Sequence, residues 1–145
     1  MNVIVAIDSL KGSLSSLQAG AAAKAGILRA ISDAIVSVNP GADGGEGTVT
    51  ALVSGLSGES VTIPVTGPLG ETVEATYGIL PDHTAVIEMA EAAGLPLVPA
   101  EKRNPMITTT YGVGEMILHA LDEGCRSFII GIGGSATNDG GTGML

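Results

Sequence analysis

At 145 residues, 45% of them hydrophobic and only 14% charged, the chain has the material for an aliphatic core, and its length sets one domain as the starting expectation. Six basic residues against fifteen acidic ones give a formal net charge of −9 with no basic run longer than two, which argues against nucleic-acid binding. No apolar run reaches membrane-spanning length, no charged leader precedes the first apolar stretch, and the single Cys125 rules out an internal disulfide, so the chain reads as cytoplasmic.

Residues 3–7 (VIVAI) form a continuous apolar run and predict a strand buried on both faces. The loop Asp8-Ser9-Leu10-Lys11-Gly12-Ser13 then leads to a helix over 14–30. Its start carries a capping box, Ser15-x-x-Gln18, and Leu14, Leu17, Ala21, Ala25 and Leu28 share one face. Residues 34–38 predict a second strand, 39–47 (NPGADGGEG) a second glycine loop, and 48–56 a short helix. Strand and helix alternate to this point, which is the pattern of a parallel α/β sheet.

The period then changes. Val61, Ile63 and Val65 alternate with Thr62, Pro64 and Thr66; Val73, Ala75 and Tyr77 alternate in turn; and residues 84–89 follow a Pro81-Asp82-His83 turn. These predict three short strands in an antiparallel or mixed patch, inserted as a subdomain or sheet extension, with Pro64 marking an edge or bulge. Residues 90–94 predict a helical turn, and the prolines at 96, 99 and 105 a surface connection. A helix over 111–123 follows, with Val113, Met116, Ile117, Ala120 and Leu121 inward and Gly124 at its C-cap. Residues 127–132 form the last strand. The organisation predicted is a first α/β part over about 1–58 and a strand-rich part followed by helix, strand and glycine loop over 59–145.

Three polar, glycine-bearing loops follow predicted strands, at 8–13, 39–47 and 133–141. Open parallel sheets bind ligands beyond the carboxyl ends of their strands, so parallel neighbours would bring these loops to one rim. In the last loop, glycines such as Gly134 and Gly140 let backbone approach an oxyanion, Ser135, Thr137 and Asn138 add donors, and Asp139 is placed to orient a hydroxyl. Asp43-Gly44-Gly45-Glu46-Gly47 sets two carboxylates around paired glycines. They suit a cation or a substrate hydroxyl. A turn with Glu46 favouring a helix N-terminus by about 0.3–1 kcal/mol is an equally open reading. Asp8 and Lys11 suit a metal and a phosphate, against a plainer reading as an Asp-Ser turn through Ser9 and a solvated lysine.

The string at 131–136 matches G-x-G-x-x-A, but the acidic residue of a dinucleotide site would fall beyond residue 145, and no G-x-x-x-x-G-K-[ST] occurs. His83 and His119 have no ligand-spaced partner and read as surface or helix residues. Thr108-Thr109-Thr110 reads as a helix cap, and Cys125 as a small, partly buried residue.

The strings DSLKGS from Asp8, ADGGEGT from Ala42, TGPLG from Thr66, VIEMA from Val86, TTYGVGE from Thr109 and IGIGGSATNDGG from Ile130 resemble the bacterial glycerate kinases of the GarK/GlxK type, in order over the whole chain. The resemblance implies ATP-dependent phosphorylation of D-glycerate to phosphoglycerate, typically the 2-phosphate, with Mg²⁺ as the ATP counterion and a two-domain α/β enzyme whose active site lies in a cleft. On the matched positions, Asp43 or Asp139 would orient the glycerate hydroxyl and Lys11 would meet phosphate charge. Asp8, Ser9, Gly44, Gly45, Glu46, Gly134, Ser135, Thr137, Asn138 and Gly140 would bind substrate or phosphate. Ile7 and Leu10 stand where the family often has Pro and Phe, and Gly41 where Met is common. Family members continue well past SATNDGG, so the fold implied is the N-terminal part of such an enzyme, with the C-terminal part absent: a parallel Rossmann/flavodoxin-like α/β sheet with a mixed or antiparallel insertion. The alternative is a non-catalytic α/β module that binds a small anion.

Overall fold

Val3, Val5 and Ile7 turn toward one side of β1 (Asn2–Ile7), which pairs in parallel with β2 (Ile35–Pro40), from Asn2 opposite Ile35 to Ile7 opposite Pro40. The helix between them, α1 (Ser16–Ala30), starts at a complete capping box. The Gln18 N–H donates to Ser15 Oγ at 3.2 Å, and the Ser15 N–H donates to Gln18 Oε1 at 2.9 Å. The computed structural model describes residues 1–10 and 13–145. These fall into two compact units, Met1–Asp43 and Gly44–Leu145.

Two expectations for the first unit are corrected. The face of α1 that packs inward is built from Ser16, Ala19 and Gly20, while Leu14, Leu17, Ala21 and Ala25 are exposed. Small residues let the helix lie close to the strand: a Cβ on Gly20 would run into Val38 Cγ1. β1 is also not buried on both faces. Its residues alternate between half-buried and exposed, because α1 covers one side only.

The second unit holds a four-stranded sheet in the order β3-β4-β5-β6, from β3 (Glu59–Thr66), β4 (Thr72–Ile79), β5 (Thr84–Glu88) and β6 (Ser127–Gly131). The first three strands form the expected antiparallel meander, and β6 lies parallel to β5. The strand after the last helix therefore extends the same sheet as the meander. Pro64 stands on the edge strand, where a missing N–H costs no ladder bond to a second neighbour.

Helices cover both faces. On one side α2 (Thr48–Leu56) packs Val49 with Leu80 and Val86. On the other, α3 (Ala90–Ala93) and α4 (Tyr111–Asp122) close a core in which Ala75, Tyr77, Ala85, Ile87, Ala92, Met116 and Cys125 are fully buried. α2 packs on β4 and β5 and so belongs with the second unit, which begins at Gly44. Gly124 at φ +90° ends α4 in the left-handed conformation that favours glycine.

Candidate functional site

The parallel pairing of β5 with β6 runs from Thr84 opposite Ser127 to Glu88 opposite Gly131, so both strands end at the same edge of the sheet. Glu88 closes β5 there. It is 4% exposed, and its carboxylate accepts from the Val49 N–H at 2.7 Å and the Gly47 N–H at 3.3 Å. These donors lie at the N-terminus of α2, where N–H groups have no partner within the helix. Burial pushes the Glu88 carboxyl above its ordinary range, and the nearby Glu91 and Glu46 add to this. The two N–H groups offset only part of it. An acid at the end of an apolar strand buried on both faces was a signal in the sequence. Its role, fastening α2 and the glycine loop before it, becomes visible only with the helix in place.

That loop meets the one that follows β6. The Gly133 N–H donates to the Gly44 carbonyl at 2.9 Å. A Cβ on Gly131 would lie 2.5 Å from Gly44 O, and one on Gly133 would lie 2.7 Å from Gly45 Cα. The two backbones touch with no room for a side chain, which is why glycine stands at these positions.

Further along, the Leu95 N–H donates to Gly134 O and the Ala136 N–H to Ala93 O, each at 2.9 Å. Thr108 Oγ1 donates to Ala136 O at 2.8 Å. Ser135 Oγ accepts from the Thr137 N–H at 3.1 Å and lies 2.9 Å from Thr137 Oγ1, which folds these two hydroxyls into one local turn. Ser135, Asn138 and Gly140 are exposed.

Asp139 is half-buried and heavily engaged. Its Oδ2 accepts from the Thr110 N–H and the Thr110 hydroxyl, both at 2.8 Å, and from the Gly143 N–H at 3.3 Å; its Oδ1 accepts from the Gly141 N–H at 3.0 Å. Burial alone would raise its pKa, but the donors from Thr110, Gly141 and Gly143 outweigh it and hold the carboxyl below the usual carboxylate range. An anion with four donors on it is a poor proton acceptor. Asp139 ties the glycine loop to the start of α4. Of the three threonines read as a cap, only Thr109 bonds within its own turn, accepting from the Tyr111 N–H at 3.1 Å; Thr108 and Thr110 reach across to the glycine loop.

In the first unit, Asp8 follows β1 and accepts from the Ser9 N–H at 2.6 Å, the Asp-Ser turn of the plainer reading. The Gly41 N–H donates to the Ile7 carbonyl at 2.8 Å, so the loops after β1 and β2 leave from the same end of their parallel pair. Ser9 Oγ is buried and has no hydrogen-bond partner among the described residues. Asp43 and Glu46 are exposed and Gly45 is buried. Lys11 lies outside the described residues. Among the described residues no group of three or more His, Cys, Asp and Glu side chains stands ready to hold a metal ion. A Mg²⁺ held chiefly by nucleotide phosphates needs only one or two carboxylates, and the exposed Asp43 and Glu46 fit that smaller demand. His119 packs edge-on against Tyr77, with Nδ1 at 2.9 Å from the Tyr77 hydroxyl, and His83 stands in an exposed turn. No helix among the described residues is long and apolar enough to cross a membrane.

Glycine loops that leave the carboxyl end of a parallel strand pair, with helices on both faces of the sheet, define an open α/β protein, a class whose ligands bind beyond that edge. The sequence profile of the Glycerate kinase family matches residues 3–145, and the chain belongs to that family. It is 56% identical over 146 residues to a glycerate kinase of Bacillus subtilis, covering 100% of this chain and 38% of that protein. It is 53% identical over 146 residues to the glycerate 2-kinase of Escherichia coli K12, with the same coverage of 100% and 38%. The fold matches the crystal structure of a candidate glycerate kinase 2 from Salmonella typhimurium LT2 with a TM-score of 0.85 at 52% identity, over 99% of this chain and 39% of that one. The chain thus spans 38–39% of the length of the relatives it matches.

Proposed function

We propose that this chain supplies the substrate-facing loops of an ATP-dependent kinase that phosphorylates D-glycerate, giving 2-phosphoglycerate and ADP. The observation that carries the reading is the meeting of two glycine loops at Gly44 and Gly133, at the carboxyl edge of the parallel β5–β6 pair. The naming of the Escherichia coli relative favours the 2-hydroxyl. In this transfer the glycerate oxygen gives up its proton and bonds to the γ-phosphorus as the bond from phosphorus to the bridging oxygen breaks. Catalysis then rests on positioning and charge neutralisation.

Asp43, an exposed carboxylate at the start of the glycine loop that precedes α2, is the residue we assign to the substrate hydroxyl. Asp139 accepts four hydrogen bonds from the protein itself. Asp139 is a positioning residue that shapes the loop. The backbone N–H groups of Gly134, Asn138 and Gly140, with the hydroxyls of Ser135 and Thr137, suit a substrate oxyanion. Asp8, Ser9, Lys11, Gly44, Gly45 and Glu46 belong to the same proposal, with Lys11 meeting phosphate charge. Mg²⁺, when bound with ATP, supplies neutralisation of phosphate charge. A cytoplasmic location goes with this reading.

The test is ADP release by the intact polypeptide with and without D-glycerate. Glycerate-dependent turnover that falls about 10²–10⁴-fold in Asp43→Asn, with the glycerate KM little changed, is expected of a general base. No glycerate-dependent ADP release overturns the reading. Glycerate binding without turnover favours the anion-binding module.

A further inference from the structure

A cleft of about 240 Å³ opens in the second unit between the segment that follows α3 and the turn at Ser135 and Thr137. Its walls combine apolar Leu95, Val98 and Pro105 with Arg103, Ser135 and Thr137. The walls are fastened to one another: the Leu95 N–H bonds Gly134 O, the Ala136 N–H bonds Ala93 O, and Arg103 Nε donates to Val98 O at 3.3 Å. The Nε bond aims the guanidinium while leaving its two terminal NH₂ groups with no carboxylate partner among the described residues.

A planar fork of donors matches a carboxylate better than it matches any single acceptor. The volume falls below the roughly 300–1,000 Å³ of sites that enclose a drug-sized ligand, so it suits a three-carbon acid and not a nucleotide. We propose that this cleft is the carboxylate subsite for the small hydroxy acid, with Arg103 gripping the carboxylate and the Ser135–Thr137 hydroxyl pair facing the rest of the molecule. This rests on the kinase reading above. It adds the group that distinguishes an acid substrate from a neutral polyol.

The test compares the intact polypeptide with Arg103→Gln and Arg103→Lys. Both changes fall on an exposed side chain, and far-UV circular dichroism checks that the fold is kept. With Arg103→Gln, the KM for D-glycerate should rise roughly tenfold to a hundredfold while the KM for ATP stays within about twofold. The preference of the unmodified protein for glycerate over neutral glyceramide should shrink by the same factor, and Arg103→Lys should recover part of it. A rise confined to the KM for ATP would assign the cleft to nucleotide phosphate and overturn the proposal, as would no change in either KM. If the unmodified protein turns over no glycerate at all, the kinase reading fails separately. Calorimetry with D-glycerate, glyceramide and inorganic phosphate then decides the subsite: it stands if glycerate alone binds and Arg103→Gln abolishes binding, and falls otherwise.

Discussion

Ile4 in β1 and Ile87 in β5 both lie inside strands paired in parallel, yet Ile4 is 71% exposed and Ile87 is fully buried. The strings around them, VIVAI and AVIE, look alike as sequence. The difference comes from what lies on the two sides: β1 is covered by α1 alone, whereas β5 is flanked by α2 on one face and by α3 and α4 on the other. A run of aliphatic residues therefore fixes the strand and not its burial. The loops after β5 and β6 stand on a closed core, which lets short hydrogen bonds hold them in place.

The largest break in that comparison should come from Ile87→Ala, which leaves a cavity at the centre of the second unit and is expected to cost about 2–5 kcal/mol. The matched change Ile4→Ala should stay within about 0.5 kcal/mol. Denaturant titration of both variants reads the difference, and equal costs would break the contrast. Next in size is Asp139→Asn. It removes a charged acceptor shared by Thr110, Gly141 and Gly143, and should cost about 1–3 kcal/mol. Because the folded pKa of Asp139 is depressed, its contribution is present above the unfolded value, about 3.9, and is lost as pH falls through the folded one. Acid titration of stability should therefore be flatter in the variant.

Ser15→Ala removes one half of the capping box of α1 and should cost about 1 kcal/mol, seen in the first unit only. The smallest effect is set for Glu88→Gln, less than about 1 kcal/mol at neutral pH, since the amide oxygen still accepts from Val49. Its sign with pH is opposite to that of Asp139. A raised folded pKa gives a contribution that is full below the unfolded value, about 4.3, and fades as pH rises through the folded one. Stability measured from pH 4 to 8 should fall less steeply in Glu88→Gln than in the parent chain.

Much of the framework was legible because it rests on local chemistry. The Ser15–Gln18 box starts α1, Pro64 sits on an edge, Gly124 ends α4, and alternation marks β3 and β4. The inward face of α1 was not legible, since hydrophobicity picks out leucines while close packing on β2 selects Ala19 and Gly20. The glycine loop after β6 was marked as special by its composition, but the partners of its polar groups were hidden. Thr110 is 29 residues from Asp139 and Val49 is 39 from Glu88, and no period links such positions.

Cys125 is fully enclosed where α4 turns toward β6, and burial pushes its thiol pKa up. It is the sole sulfhydryl in 145 residues. A thiolate-seeking reagent therefore meets nothing to modify until that corner opens, and at reagent concentrations where labelling outpaces reclosing its rate is the rate of opening. The chain thus carries its own gauge of how often the base beneath the glycine loops comes apart, readable with a colorimetric dye and no engineered probe.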